Sequence, residues 1–200
     1  MAIGKTAFEQ ECRAEGFVRV AGLDEVGMGC LAGPVVAAAV ILDHLNVPKG
    51  IDDSKKLSPT RREQLDQEIR RCAVSFGVGL ASVEEIDEFN IYQAARLAMR
   101  RAVKELKVVP DFLLVDGRAK IECPIPQRSI IKGDLLSVSI GAASILAKVY
   151  RDALMGELDL RYPGYEFAKH KGYGSVLHRE RLGARGASPI HRKSFSWTPV

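Results

Sequence analysis

Residues 17–42, FVRVAGLDEVGMGCLAGPVVAAAVIL, hold two apolar runs separated by a glycine-rich stretch. The first, FVRVAGLD (17–24), alternates enough to be a strand. The second, PVVAAAVIL (34–42), is continuously apolar, the pattern of a strand covered on both faces. Gly27, Gly29 and Gly33 lie between them, so this part of the chain reads as strand, turn, strand. Two adjacent acids, Asp24 and Glu25, stand at the mouth of the turn. A carboxylate closing a buried strand is costly unless it is paired or faces a cation.

Outward from this hairpin, SPTRREQLDQEIRRC (58–72) predicts a helix, with Ser58 as cap and Pro59 at the first helical position. AVSFGVGLAS (73–82) reads as a strand, and NIYQAARLAMRRAVKEL (90–106) as a helix ending before Pro110. PDFLLVDG (110–117) is a short buried strand that ends in Asp116. Residues 134–160 read as a second long helix entered through KGD, with Asp134 at its start. The tail contains a short helical piece and a loop, GASPIHRKSF. An early hairpin followed by strand–helix alternation is an α/β pattern, a mixed sheet flanked by helices.

Two hundred residues, 46% hydrophobic and 27% charged, suit one domain with a sizeable core. No apolar run approaches the roughly 20 residues of a membrane span. The N-terminus lacks the apolar centre of an export signal, and Cys12, Cys30, Cys72 and Cys123 form no CxxC pair. A cytoplasmic protein without disulfides or structural zinc is expected. The formal charge of +4 is unevenly placed: residues 161–200 carry a net +6 and the first 160 a net −2. A basic segment on a mildly acidic body points to a polyanionic partner, with a solvated tail as the plainer reading.

Asp24, Glu25, Asp116 and Asp134 all fall at the ends or starts of expected elements, where α/β sheets build their sites. A set of carboxylates without nearby histidine or cysteine suits oxygen-seeking Mg²⁺ or Mn²⁺, ions that can clamp a phosphate. The plainer readings are helix capping for Asp134, turn chemistry for Asp116 and solvation for Glu25. GMGCLAG lacks the Lys-Ser/Thr ending of a P-loop, and a strand rather than a helix follows it. It is either a plain turn or backbone that a ligand can approach closely. Lys55 and Lys56 in DDSKKLS form a charged pair, usually a surface feature. KHKGYG joins Lys169 and Lys171 to Tyr173, whose ring could stack on a sugar or base, or pack on its loop. His170, His178 and His191 show no ligand spacing and are assigned to no metal.

Taken together, GLDEVGMGCLAGPVVAAAVIL, DDSKKLS, NIYQAARLAMRRAV, FLLVDG, KGDLLSVSIGAASILAKVYRD, YPGYEFAKHKGYG and SPIHRKSF resemble, in order, the bacterial ribonuclease HII family over nearly the whole chain. The resemblance implies a ribonuclease H-like fold: a mixed five-stranded sheet flanked by helices, with a small helical C-terminal extension. It implies a catalytic domain over residues 1–160 and a basic segment, 161–200, packed on it and contributing to substrate binding. The implied activity is metal-dependent hydrolysis of RNA in RNA–DNA hybrids and at ribonucleotides embedded in duplex DNA, leaving 3′-hydroxyl and 5′-phosphate ends. No membrane and no obligate protein partner are implied. The family's carboxylates fall on Asp24, Glu25 and Asp116 as ligands of Mg²⁺ or Mn²⁺, two ions during catalysis, with Asp134 completing the site. Substrate contacts fall on Gly27, Met28, Gly29, Lys55, Lys56 and Tyr173. Met28 is a departure, since the family's loop normally reads Gly-Arg-Gly; Gly141, where alanine is common, is a milder one. A binding protein that lost turnover, or another metal-dependent nuclease of this fold, are the alternatives that a cleavage assay separates.

Overall fold

β1 (Val20–Val26) and β2 (Val35–Leu42) form the expected antiparallel hairpin, with Leu23 opposite Ala39. The computed structural model describes residues 5–51, 54, 56–118 and 120–196. β3 (Ala73–Ala81) adds antiparallel to β2. β4 (Phe112–Asp116) adds parallel to β1, and β5 (Gln127–Ile130) parallel to β4. The order is β3-β2-β1-β4-β5, the mixed five-stranded sheet that the resemblance implies.

Helices cover both faces. Val35, Ala37, Ala39 and Ile41 of β2 join a core cluster with Ala94, Ala98 and Ala102 of α4 (Ile91–Lys104). Val36, Ala38, Val40 and Leu42 join the opposite cluster, with Leu65 and Ile69 of α2 (Pro59–Cys72) and the alanine-rich start of α6 (Val138–Arg161). Two buried faces explain why β2 reads as an unbroken apolar run. α2 begins as expected, with the Ser58 hydroxyl accepting from the Arg61 amide at 3.2 Å.

The expectation of one helix over 134–160 needs correction. α5 (Gly133–Leu136) is a single turn, Ser137 is extended, and α6 starts at Val138. Ser137 caps α6 through its hydroxyl, which also donates to Glu9 at 2.5 Å. Glu9 additionally accepts from the Ser139 amide at 3.0 Å, placing a carboxylate at the positive end of α6. Glu9 lies on α1 (Ala7–Ala14), a helix that the sequence reading passed over. Also missed were α3 (Val83–Phe89), despite its Ser82–Glu85 capping box, and β5, too short and polar to show a period. The tail contains α7 (Phe167–His170) and α8 (Val176–Arg185), and it joins the glycine turn through bridges Cys30–Tyr173 and Ala32–His191.

α6 crosses β1 so closely that a Cβ on Gly22 would lie 2.1 Å from the Ser139 carbonyl carbon. Backbone cannot yield as a flexible side chain can. Gly22→Ala should therefore destabilise the protein by about 3 kcal/mol or more, read as a lower urea midpoint with unchanged slope. A midpoint unmoved by the substitution would contradict this packing.

Candidate active site

The parallel register pairs Leu23 of β1 with Val115 of β4, so the next residue on each strand is an aspartate, Asp24 and Asp116. Past β5, the α5 turn brings its own acid. The Gly133 amide donates to Asp116 at 2.6 Å, and Asp134 follows it. Asp24, Glu25, Asp116 and Asp134 line one cleft of about 460 Å³, together with Ser144, Lys148 and Tyr173. Asp134 is thus a cleft residue at the head of a separate turn, and Ser137 holds the capping role at α6.

Asp24 is 7% exposed and hydrogen-bonds to Ser144 and the Glu25 amide, the latter at 2.8 Å. Burial, and then repulsion from Glu25 and Asp116, push its carboxyl well above the ordinary carboxylate range. Burial and the charge of Asp134 push Asp116 up as well, against the pull of amides from Gly133, Asp134 and Gly117. The acids share a cleft but do not close on a point: among the described residues no three acid, imidazole or thiolate groups form an ion-holding cluster. The donor set is carboxylate oxygen, which fits a hard divalent ion and does not suit a soft one.

Beside the acids, Gly27 has φ +99°, and a Cβ there would meet Arg151 Nε at 2.4 Å. Arg151 and Arg192 are fully buried. Arg192 donates to the carbonyls of Gly27 (2.7 Å), Met28 (3.0 Å) and Gly33 (2.8 Å). Arg151 donates to the carbonyls of Ala32 (3.1 Å), Pro34 (3.0 Å) and Lys171 (2.7 Å). The loop's carbonyls are thereby turned inward, while among the described residues the Met28 and Gly29 amides donate to no protein acceptor. The Met28 side chain packs against the α4 core and lines a second cleft of about 310 Å³, which shares Glu25 and Asp116 with the first.

Tyr173 stands 40% exposed in the carboxylate cleft, with Lys148 Nζ 5.7 Å from its ring centre. Lys56 is exposed and does not line that cleft; Lys55 lies outside the described residues. The sequence reading missed Ser144, Lys148, Arg151 and Arg192. Arg192 was counted with the basic tail, yet it is internal. A positive-φ glycine loop with many carbonyls to satisfy is the signal that could have pointed to an internal arginine.

The ribonuclease HII family model matches residues 21–198. The chain is 56% identical to the ribonuclease HII of Myxococcus xanthus over 190 residues, covering 94% of this chain and 65% of that protein. It is 51% identical to the ribonuclease HII of Syntrophotalea carbinolica, covering 94% of this chain and 90% of that one. Among solved structures it is similar to ribonuclease H2 from Pyrococcus horikoshii OT3, with TM-score 0.75, 26% identity, and 90% and 94% of the two chains covered. It is also similar to the ribonuclease HII of a PCNA complex from Archaeoglobus fulgidus, with TM-score 0.73, 28% identity, and 90% and 96% covered.

The raised Asp24 carboxyl sets a sign. An aspartate that binds its proton more tightly folded than unfolded costs stability above its unfolded pKa, and the cost fades as pH falls through the folded value. With chelator present, Asp24→Asn should therefore melt several degrees higher than the wild type at pH 8, and the gap between the two should narrow as the pH is lowered, measured by thermal unfolding. Taking the difference removes the buried histidines, whose lowered pKa acts in the opposite sense in both proteins. A lower melting temperature in Asp24→Asn would contradict the repulsion.

Proposed function

The chain belongs to the ribonuclease HII family, and on that premise we propose that its carboxylate cleft hydrolyses the RNA strand of RNA–DNA hybrids and cuts at ribonucleotides embedded in duplex DNA. The observation that carries this reading is the meeting of Asp24, Glu25, Asp116 and Asp134 in one cleft that also contains Tyr173. Asp24, Glu25 and Asp116 would hold Mg²⁺ or Mn²⁺, with Asp134 completing the set. The bound ion supplies positive charge to phosphate oxygens and lowers the pKa of water.

The chain's own groups then account for placement. Arg151 and Arg192 hold the carbonyls of the 27–34 loop inward, leaving the Met28 and Gly29 amides to meet the ribose 2′-oxygen. Tyr173 offers its ring to the sugar at the ribonucleotide junction. Lys148, held by Asp152 at 2.8 Å, adds positive charge to the same cleft for the incoming phosphodiester. Hydrolysis joins a water oxygen to phosphorus and releases the ribose 3′-oxygen, giving 3′-hydroxyl and 5′-phosphate ends. The family's usual guanidinium has no counterpart at Met28, whose thioether lies on the core, so loop recognition here runs through backbone. Among the described residues no helix is long and apolar enough to cross a membrane; we place the protein in the cytoplasm, where its nucleic-acid substrates are.

A duplex carrying one ribonucleotide, incubated with Mg²⁺ or Mn²⁺, should be cut at that nucleotide, while the all-DNA duplex stays intact. Asp116→Asn should lower the rate by about 10³-fold or more at saturating metal, with the fold retained by circular dichroism. Equal cutting of both duplexes, or a near-normal rate in Asp116→Asn, would overturn the assignment.

A further inference from the structure

Behind Tyr173, three imidazoles pack into one cluster, His178 and His191 buried and His170 half-buried. His170 stacks on His178 with ring centres 4.1 Å apart, and Phe167 meets both edge-on. Their hydrogen-bond partners fix every proton in the neutral state. The Ser188 amide donates to His191 Nδ1 at 2.9 Å, so that nitrogen bears no proton and Nε2 does. The His191 Nε2–H faces His178 Nε2 at 3.1 Å, which therefore accepts. His178 then keeps its proton on Nδ1 and donates it to the Tyr173 carbonyl at 2.9 Å. By the same logic, His170 accepts from the Gly172 amide at Nδ1 and donates from Nε2 to the Tyr165 carbonyl. Burial holds all three rings below the usual imidazole range, His178 down to about 4, so the neutral pattern is the one present near neutral pH.

The turn that this network supports is demanding. Lys171 (φ +53°) and Gly172 (φ +84°) are both left-handed, a conformation that a non-glycine residue keeps only when its surroundings impose it. Plain packing would be satisfied by an aromatic or aliphatic filler. A chain in which each ring must accept on one side and donate on the other is satisfied only by side chains with that polarity.

We propose that His178 and His191 are positioning residues for Tyr173: the chain Ser188–His191–His178 pins the Tyr173 carbonyl, and so sets where the ring stands beside the four acids. This rests on the reading of Tyr173 as the substrate contact. It assigns work to two histidines that have no part in the chemistry.

The test is a double-substitution cycle on the full chain, using a duplex with one ribonucleotide. His178→Leu fills the space and removes the donor, whereas His178→Asn keeps an N–H near the Nδ1 position. His178→Leu should raise KM roughly tenfold with kcat changed less than about twofold, and should add nothing further to Tyr173→Ala. His178→Asn should recover most of the loss. A loss of the same factor with and without the tyrosine ring would sink the idea, as would an Asn variant as poor as the Leu variant. A second arm needs no cleavage, so it separates this proposal from the functional reading. In protein labelled with 3-fluorotyrosine, the ¹⁹F line absent from Tyr173→Phe should shift in His178→Leu and return in His178→Asn. An unmoved line refutes the positioning role whether or not any duplex is cut. Should His178→Leu fail to fold, His191→Gln and His191→Asn decide. Gln keeps an N–H able to reach His178 and should leave the line near its wild-type place, whereas Asn should displace it. Coincident lines in the two variants would refute the relay.

Discussion

Asp24 and Asp116 are neighbours because β1 and β4 run parallel in a register whose last pair, Leu23 and Val115, is followed by an aspartate on each strand. The site depends on this pairing. Burial, and then repulsion (Glu25 and Asp116 on Asp24, Asp134 on Asp116), makes both bind protons more readily than an ordinary aspartate. The surroundings offset only part of the strain: Ser144 and the Glu25 amide serve Asp24, and the Gly133 amide serves Asp116. α6 can deliver Ser144 because Gly22 lets it press on β1, and α5 can deliver Asp134 because β5 extends the parallel set. What remains uncompensated is negative charge in a cleft, an environment that a divalent cation relieves.

The protein also buries positive charge and keeps it apart from these acids. Arg151 and Arg192 donate to carbonyls of the loop and the tail. A guanidinium paired with Asp24 or Asp116 would neutralise the cleft and remove the negative charge on which the proposed cation binding rests. Spending their donors on carbonyls does two things. It ties the C-terminal segment to the glycine loop, and it leaves the acids available. Carbonyls suffice as partners because a guanidinium has five donors in a planar fork, and a bent loop presents several acceptors at short range.

Much of this was legible in the chain. A carboxylate at the end of an apolar strand is conspicuous, and Asp24 and Asp116 stood out on that ground, with Glu25 beside the first and Asp134 at the start of an expected helix. Strand β2 was legible because burial on both faces leaves an unbroken apolar run. The break at Ser137 was not, because LLSVSI keeps its apolar character across it; the interruption comes from Glu9, 128 residues away, competing for the Ser137 hydroxyl and the Ser139 amide. The histidine cluster and the two buried arginines were invisible for a related reason. Their partners are backbone groups and side chains brought together only by tertiary folding, and polar residues near a C-terminus otherwise read as solvated. Long-range polar contacts leave no periodicity to find.

The central claim is that these four acids form one cation site. Isothermal titration of the metal-free protein with Mn²⁺ alone, without nucleic acid, tests it most directly. Wild type should bind with measurable heat, and Asp24→Asn and Asp116→Asn should each bind at least about tenfold more weakly while remaining folded. Affinity for Mn²⁺ unchanged in both variants would contradict it.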